Sequence, residues 1–374
     1  MKSEKCIIAP SERDADLYYA CGFLAPDPFA FVTKHGKRII ILNDLELDRG
    51  RAEARVDEVI SLSDLQCQAR TPENPRPNVV QTLLQLLHDR EITALTVPSS
   101  FPLLPADQLR AGGITVTPEN GPFFPERRIK RSDELTAITD VLRKTEAVLS
   151  KAIDRLRAST IIDNQLFSDG GELTSERLRS EIEVDLIRYG LEGHHTIVAS
   201  GDQACDPHQI GYGPLKADSP IILDIFPRSQ SNRYFADITR TVIKGSPSPK
   251  AMRNYQVVAE AVEIAEKKIA PGVPLREVHR AVASHFEISG FRTERVNGRM
   301  VGFFHSTGHG VGLDIHEEPR IADIDGVFEP GLVMTVEPGL YYPGIGGVRI
   351  EDMVLVTTTG SQVLTRAPKF LRVD

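Results

Sequence analysis

The sequence predicts an α+β protein of two domains, and three observations support this prediction. The first 124 residues alternate strand-like and helix-like stretches, a segment rich in proline follows, and long amphipathic helices then precede a series of apolar strands. We therefore expect a smaller α/β domain over residues 1–124. We expect a larger domain over residues 125–374, with helices laid on one side of a largely antiparallel sheet.

Short runs rich in β-branched and aromatic residues predict the strands of the first domain, at residues 29–33, 37–43, 57–61, 94–98 and 114–118. Helices are predicted at 78–90 and 105–111. Pro118, Pro122 and Pro125 then interrupt regular structure, as is typical of a linker between domains.

A helix that Ser132 can cap opens the second domain, because Asp133 and Glu134 follow in its first turn. Apolar residues at three- and four-residue spacing continue it to about Leu156. Three further helices are predicted at 174–189, 250–270 and 275–289. The last of these contains His279 and His285, for which we expect structural or exposed positions.

Composition narrows the class of protein. The chain has 374 residues, of which 41% are hydrophobic, enough for two cores. Its net charge of -8 argues against a nucleic-acid partner, which would require a basic face. We find no apolar run of the ~20 residues that span a membrane, and the start of the sequence lacks the apolar core of a signal peptide. A cytoplasmic enzyme is expected.

Two aspartates occur in apolar, strand-like runs of the second domain. Asp224 lies in ILDIF and Asp237 in FADIT, and the two runs, 221–226 and 234–242, are joined by a polar segment. This pattern predicts a hairpin with a long loop. Paired across the hairpin, the two carboxylates can converge on one place.

Two glutamates occur in similar surroundings. Glu337 lies in VMTVEPG and Glu351 in GGVRIEDMVLV. A carboxylate within an apolar strand costs several kcal/mol, of the order of the desolvation of an unpaired charge, unless a cation or hydrogen bonds compensate for it. We expect the run around Glu351 to form one continuous strand, in which Arg349 and Glu351 point to the same face.

Three histidines, His305, His309 and His316, precede these glutamates in a segment rich in glycine, which lets the backbone approach a ligand closely. Two aspartates, two glutamates and one histidine form an oxygen-rich ligand set suited to Mn, Co, Fe or Zn rather than a thiolate zinc site. A pair of ions roughly 3.5 to 4 Å apart, bridged by carboxylates, would satisfy so many anionic ligands.

The order Asp224, Asp237, His309, Glu337 and Glu351, with GHGVGLDIHE, TVEPG and GGVRIED around the last three, resembles the pita-bread-fold metallopeptidases. Within that group it resembles the Xaa-Pro peptidases, prolidase and aminopeptidase P, over the C-terminal two thirds of the chain and more loosely before it. The resemblance implies a C-terminal pita-bread (creatinase/aminopeptidase) fold preceded by a creatinase-N-terminal-like domain. It also implies that these five residues hold two divalent metal ions, manganese being expected and cobalt, zinc or iron being alternatives.

The resemblance further implies roles for residues around the metal ligands. Glu337 would accept the proton of the attacking water and pass it to the departing nitrogen. His208 and His316 would hold the substrate and stabilise the tetrahedral intermediate, and His305 would line the pocket. We expect a homodimer, because the first domain often mediates dimerisation in this family.

The expected substrate is a proline-containing dipeptide or oligopeptide, cleaved at the Xaa-Pro imide bond. Arg320 matches the position at which prolidases place an arginine for the C-terminal carboxylate of a dipeptide, and its planar fork suits that group. A solvated loop arginine is the alternative for Arg320. We expect Arg349 to bind substrate as well. An Xaa-Pro dipeptidase is therefore favoured slightly over an Xaa-Pro aminopeptidase.

Other functions stay open at this point. One is another enzyme on the same fold, a methionine aminopeptidase or a creatinase-like C–N hydrolase, and the second is a non-catalytic pita-bread binding protein. The loop 227–233 between the two aspartate strands looks longer than the family usually carries. We expect it to border the pocket or a subunit contact.

Overall fold

The computed structural model describes residues 3–374, and the chain divides into two compact units, Met1–Arg127 and Arg128–Asp374. The predicted boundary after residue 124 lies three residues before this division. That the first unit is a creatinase-N-terminal-like domain stays a prediction.

The described part of the first unit is a mixed sheet covered by helices on both faces. Its strands have the order β4-β3-β2-β1-β5-β6, in which β1–β2 and β2–β3 are antiparallel and the other neighbours are parallel. Its elements are β1 (Glu4–Ala9), α1 (Ala15–Cys21), β2 (Phe29–Lys34), β3 (Lys37–Leu42), α2 (Leu47–Glu53), β4 (Glu58–Ser61), α3 (Leu62–Gln68), α4 (Val79–Asp89), β5 (Ala94–Val97), α5 (Leu103–Ala111) and β6 (Thr115–Pro118).

Alternation along β2 explains why this sheet is covered on both faces. Ala30 and Val32 belong to the core beneath α4 and α5, whereas Phe29 and Phe31 belong to the core beneath α1. Successive side chains of a strand point to opposite faces, so a strand buried on both sides is apolar throughout. The predicted strands and both predicted helices of this unit are present, and β1, α1, α2 and α3 were not predicted.

The second unit combines long helices with short, mostly antiparallel strands. Its elements are α6 (Ser132–Ala158), β7 (Thr160–Ile162), β8 (Gln165–Ser168), β9 (Gly171–Glu172), α7 (Ser175–Arg188), β10 (Leu191–Glu192), β11 (Ile197–Ser200), β12 (Ile221–Ile225), β13 (Arg228–Ser229), β14 (Ile238–Lys244), α8 (Pro249–Lys268), α9 (Leu275–Ile288), β15 (Glu294–Val296), β16 (Arg299–Val301), β17 (Gly308–Gly310), β18 (Glu317–Ile321), β19 (Val333–Val336), β20 (Gly339–Tyr342), β21 (Gly346–Arg349), β22 (Asp352–Val356), β23 (Ser361–Val363) and β24 (Arg372–Val373).

Two sheets and a hairpin of this unit position the candidate site. The sheets have the strand orders β11-β12-β14-β24 and β18-β17-β19-β22-β23, and β20 and β21 form the hairpin. Apolar side chains of α8 and α9 pack against β19 to β22 and form the core behind them. The predicted helices are present within one or two residues of their bounds. Ser132 is the first residue of α6 rather than its cap, because Arg131 holds the cap position and its N–H donates to Glu134.

The predicted hairpin of the two aspartate strands exists, but its second strand begins later than expected. β12 pairs with β14 so that Asp224 lies opposite Thr239, and Asp237 precedes β14. The loop between them is held by Glu192, which forms ion pairs with Arg228 at 2.9 Å and Arg233 at 3.2 Å. The main chain of the loop therefore follows β10, with which β13 pairs.

No helix in the described residues is sufficiently long and apolar to cross a membrane.

The end of α8 allows a test of stability against pH. Burial, and then the hydrogen bond with the Asp352 carboxyl, raise the pKa of Glu266 from 4.5 to about 7, although Lys369 lies 3.3 Å away. Because this pKa is higher in the folded than in the unfolded chain, the stability it contributes is present below pH ~4.5 and is lost as the pH rises through ~7. Glu266→Gln should remove this loss.

We compare the free energy of unfolding of Glu266→Gln with that of the parent protein at pH 5 and at pH 8. The difference between the two proteins should shift in favour of Glu266→Gln by about 1 to 2 kcal/mol from pH 5 to pH 8, after allowance for solvent screening. Urea unfolding of both metal-loaded proteins at the two pH values measures this difference. Glu263→Gln, on the exposed side of the same helix, is the control, since Glu263 is paired with Lys267 at the surface. Equal pH dependence in all three proteins would contradict the prediction.

Candidate active site

The acidic candidates of the second unit lie mostly where strands end. Asp224 lies within β12, but Asp237 precedes β14, Glu337 lies between β19 and β20, and Glu351 lies between β21 and β22. Pro338 follows Glu337 and has no N–H to donate to a ladder, so β19 stops there. Side chains at such interruptions are not restricted to the two faces of a sheet, and all these carboxylates reach one place.

The cluster has a well-defined centre. Ligand atoms of Asp237, His309 and Glu351 all lie within 4.8 Å of one another, and these three residues are buried. His309 Nε2 lies 3.4 Å from Glu337 Oε1 and 3.7 Å from Asp237 Oδ2. Asp224 lines the same cavity, and its charge raises the pKa of Asp237. The structure therefore brings the five predicted ligands together.

The chemistry of this donor set fits divalent cations. Asp224 Oδ1, Asp237 Oδ1 and Glu351 Oε1 are buried and accept no hydrogen bond from the described residues. Burial, and then the charges of Glu351, Asp224 and Glu337, raise the pKa of Asp237 well above its ordinary value. Buried carboxylates that repel one another and lack donors are costly unless cations lie between them.

The imidazole of His309 is oriented for coordination. Its Nδ1 lies 3.0 Å from the carbonyl oxygen of Gly310, so Nδ1–H donates to this carbonyl and Nε2 is left facing the carboxylates. Burial, and then the neighbouring His316, lower the pKa of His309 to about 3. His309 is therefore neutral, as a metal ligand must be, and a hydrogen bond of its second nitrogen fixes the ring.

Residues of β14 support Glu351, and sequence analysis did not identify them. Thr239 Oγ1 donates to Glu351 Oε2 at 2.8 Å, and the buried guanidinium of Arg240 donates to the main-chain oxygen of Glu351 at 2.6 Å. Arg240 also pairs with Asp352 at 2.8 Å. A charged residue in the run TRTVI was the available signal, because an arginine in an apolar strand requires partners.

Arg349, Tyr341 and His305 form a second supporting chain. Arg349 donates to Asp224 Oδ2 at 2.6 Å and to the Tyr341 hydroxyl at 3.0 Å. The hydroxyl lies 2.9 Å from His305 Nε2, and His305 Nδ1 lies 2.7 Å from the Ser306 carbonyl. Burial, and then the charge of Arg349, lower the pKa of His305 to about 4. Arg349 is buried and bound to Asp224, so its guanidinium orients that carboxylate.

A single cavity of about 1280 Å³ contains the cluster and the residues predicted to bind substrate. Among those, the lining includes His208, His305, His316, Arg320 and Arg349. The ring of His316 lies 4.4 Å from that of His309, almost perpendicular to it. From the segment between the two aspartates, the lining includes Phe226 but none of residues 227–233, so this loop does not border the cavity. The other expectation for the loop, a subunit contact, stays a prediction.

The cavity also has a wall that sequence analysis missed. His279 and Ala283, one turn apart on α9, line it together with Phe303 and Phe304. His279 Nδ1 lies 2.9 Å from Thr307 Oγ1, close to the strand that carries His309. The expectation of a structural or exposed position for His279 did not include its place in the cavity wall. Helical spacing in the sequence does not reveal which other element a helix face will contact.

The model of metallopeptidase family M24 matches residues 136–358, more than half of the chain, and this range contains all five residues of the cluster. The chain belongs to metallopeptidase family M24. The prediction of a metal-dependent peptidase is thereby confirmed. An uncharacterized peptidase of Staphylococcus aureus strain MSSA476 is 30% identical to this M24 peptidase over 363 residues, which cover 95% of this chain and 93% of the relative.

Solved structures share the fold over nearly the whole chain. The prolidase from Pyrococcus furiosus superposes with a TM-score of 0.80 at 24% identity, covering 98% of this chain and 97% of its own. The Xaa-Pro dipeptidase from Bacillus anthracis superposes with a TM-score of 0.83 at 24% identity, covering 99% of this chain and 94% of its own. The X-Pro aminopeptidase from Thermotoga maritima superposes with a TM-score of 0.81 at 22% identity, covering 99% of this chain and 97% of its own. The predicted α+β pita-bread fold of this M24 peptidase is confirmed.

Proposed function

We propose that this M24 peptidase hydrolyses the Xaa-Pro imide bond of short peptides at a centre of two divalent metal ions, and that dipeptides are its preferred substrates. The observation that carries the proposal is the buried cluster of Asp237, His309 and Glu351 at the base of an open cavity. Three solved structures of the same fold, named prolidase, Xaa-Pro dipeptidase and X-Pro aminopeptidase, support the choice of substrate.

The proposed number of ions follows from charge. Asp224, Asp237, Glu337 and Glu351 contribute four carboxylates to one buried place, with the neutral His309 as the other ligand. Two divalent cations would balance the charge of four carboxylates. We propose manganese as the metal, since oxygen-rich sites suit it, with cobalt, zinc and iron as alternatives.

The ions, when bound, lower the pKa of a water molecule and polarise the scissile carbonyl. Glu337 lies beside His309, with its side chain 17% exposed in the cavity wall. It is therefore placed to accept the proton of the attacking water. It then passes this proton to the proline nitrogen, which has no hydrogen in the substrate and must gain one to depart.

His208 and His316 hold the substrate in this proposal. Both are exposed and line the cavity that contains the cluster. Imidazole donors aimed at the carbonyl stabilise the charge that develops on the tetrahedral intermediate. His305 is held by Tyr341 and shapes the wall next to them.

Arg320 supports the preference for dipeptides. Its exposed side chain lines the cavity and forms no hydrogen bond or ion pair with another residue of the described chain. Its charge is therefore available for a ligand. The C-terminal carboxylate of an Xaa-Pro dipeptide is a group of matching charge and geometry.

Arg320→Met should raise KM for an Xaa-Pro dipeptide by about 10- to 100-fold, the equivalent of a lost charge-assisted contact. The effect on an Xaa-Pro-led tripeptide amide should be small, because that substrate has no free carboxylate. Steady-state kinetics on both substrates measure the difference. Arg295→Met, on the hairpin of β15 and β16, is the control, since Arg295 bonds to Gly298 and does not line the cavity. An equal increase in KM for both substrates would show that Arg320 does not bind the C-terminal carboxylate.

A hydrolysis screen tests the proposed function itself. The protein is treated with a chelator, and Mn, Co, Zn or Fe is then added separately to assays with Xaa-Pro dipeptides, Xaa-Pro-led tripeptides and matched Xaa-Ala peptides. We expect cleavage of the Xaa-Pro peptides, fastest with manganese and with dipeptides. Faster cleavage of the Xaa-Ala peptides would contradict the proposal that Xaa-Pro peptides are the substrates. A preference for tripeptides would favour an aminopeptidase over a dipeptidase.

A further inference from the structure

We propose that the buried ion pair of Lys130 and Glu317 positions two histidines of the active site, His309 and His316, by fixing the turn 312–316 that lies between them. The pair itself does not touch the cavity. It lies behind the turn, at the beginning of the second unit and at the first residue of β18.

The pair is strongly buried and well aligned. Lys130 Nζ lies 2.6 Å from Glu317 Oε2, and the two side chains are only 2% and 8% exposed. The main chain of Lys130 is held as well, because its N–H donates to the carbonyl oxygen of Gly331, just before β19. Lys130 thus connects a fixed backbone to the Glu317 carboxylate.

The Glu317 carboxylate also binds the main chain of the turn. Its Oε1 accepts hydrogen bonds from the N–H groups of Leu313 at 3.0 Å and Asp314 at 3.3 Å. A Cβ atom at Gly312 would lie 2.6 Å from both carboxylate oxygens, so only glycine leaves room for them. The oxygen that faces Lys130 and the oxygen that faces the turn belong to one rigid carboxylate.

The turn reaches both histidines. Ile315 of the turn lines the cavity together with His309 and His316. His316 directly precedes Glu317 and lies against His309 with ring centroids 4.4 Å apart. A shift of the turn would therefore move His316 within the cavity and remove the ring contact that helps to hold the His309 imidazole toward the carboxylates.

Energetics favour a positioning role over a stabilising one. A buried ion pair is often replaceable by apolar side chains of similar volume without loss of stability, because desolvation offsets its attraction. An apolar pair would, however, leave the N–H groups of Leu313 and Asp314 without the acceptor that defines the turn. A displacement of His309 would weaken metal binding, which is measured without a substrate. A displacement of His316 would weaken substrate binding, and this part of the inference rests on the proposed function.

The test is the double variant Lys130→Met/Glu317→Leu. We expect the metal-free protein to remain folded with a moderately lower melting temperature, because two N–H groups of the turn lose their acceptor. Its affinity for Mn²⁺ should be roughly 10- to 100-fold weaker in a calorimetric titration after chelation. With saturating Mn²⁺, KM for the Xaa-Pro dipeptide should still be raised several-fold. Lys130→Met/Glu317→Gln, which retains an acceptor oxygen for the turn, should recover most of the Mn²⁺ affinity.

A matched control is Arg127→Met/Asp16→Leu, which replaces a partly buried ion pair of 2.7 Å in the first unit. It should leave Mn²⁺ affinity and KM unchanged. Unchanged Mn²⁺ affinity in Lys130→Met/Glu317→Leu would overturn the inference, and Lys130→Met/Glu317→Met, which also lacks the acceptor, is read by the same criterion if the first double variant does not fold. Because the titration needs no substrate, absence of Xaa-Pro cleavage in the parent protein would refute the proposed function without touching this result.

Discussion

Glu337→Gln should lower kcat for Xaa-Pro hydrolysis by about 10²- to 10⁴-fold in metal-loaded protein, the range for loss of a general acid–base group. The carboxylate lies 3.4 Å from His309 and lines the cavity, so it is placed to accept and donate a proton beside the proposed metal centre. Glutamine keeps the shape and one oxygen but cannot accept the proton. Stopped-time assays at saturating substrate measure kcat directly.

The metal content of Glu337→Gln must be determined alongside its kcat, because Glu337 is also a proposed ligand. A fall in kcat with the metal content of the parent protein retained supports the acid–base role, whereas a fall that excess metal restores indicates a ligand role only. Glu287→Gln on the exposed side of α9 is the control for the substitution itself. Near-normal turnover of Glu337→Gln would contradict the proposed mechanism.

Removal of metal should abolish activity and lower stability together. The metal-free protein retains the mutual repulsion of the Asp224, Asp237 and Glu351 carboxylates, each with a buried oxygen that lacks a donor in the described chain. Metal at 100 times its dissociation constant should raise the free energy of unfolding by about 2.7 kcal/mol. Chemical unfolding of chelated and Mn²⁺-loaded protein gives this difference.

Asp237→Asn should change the stability of the protein in opposite directions without and with metal. In chelated protein the variant should be more stable than the parent, because one uncompensated buried charge is gone. With Mn²⁺ it should be less stable, because a ligand is gone. Asp48→Asn, whose side chain is fully exposed on α2, should follow the parent in both conditions. If Asp237→Asn were less stable than the parent without metal, the repulsion argument would fail.

Local patterns explain why much of the fold was predictable. Amphipathic spacing placed α6 to α9 within a few residues, since helix periodicity repeats along the chain. Three features were not predictable in this way. β14 begins after Asp237, and the run around Glu351 is split into β21 and β22, so the expectation of a continuous strand there is wrong. β1 was not predicted either.

The sequence by itself identified Asp224, Asp237, Glu337 and Glu351 as metal-binding candidates, because a carboxylate in an apolar run is costly without a compensating cation. The family resemblance selected His309 from the three neighbouring histidines. Only the tertiary structure decided what surrounds them. Thr239 and Arg240 support Glu351, Tyr341 connects Arg349 with His305, and Lys130 meets Glu317 across 187 positions of sequence. Such contacts depend on how strands and helices pack in three dimensions, and no periodicity along the chain encodes them.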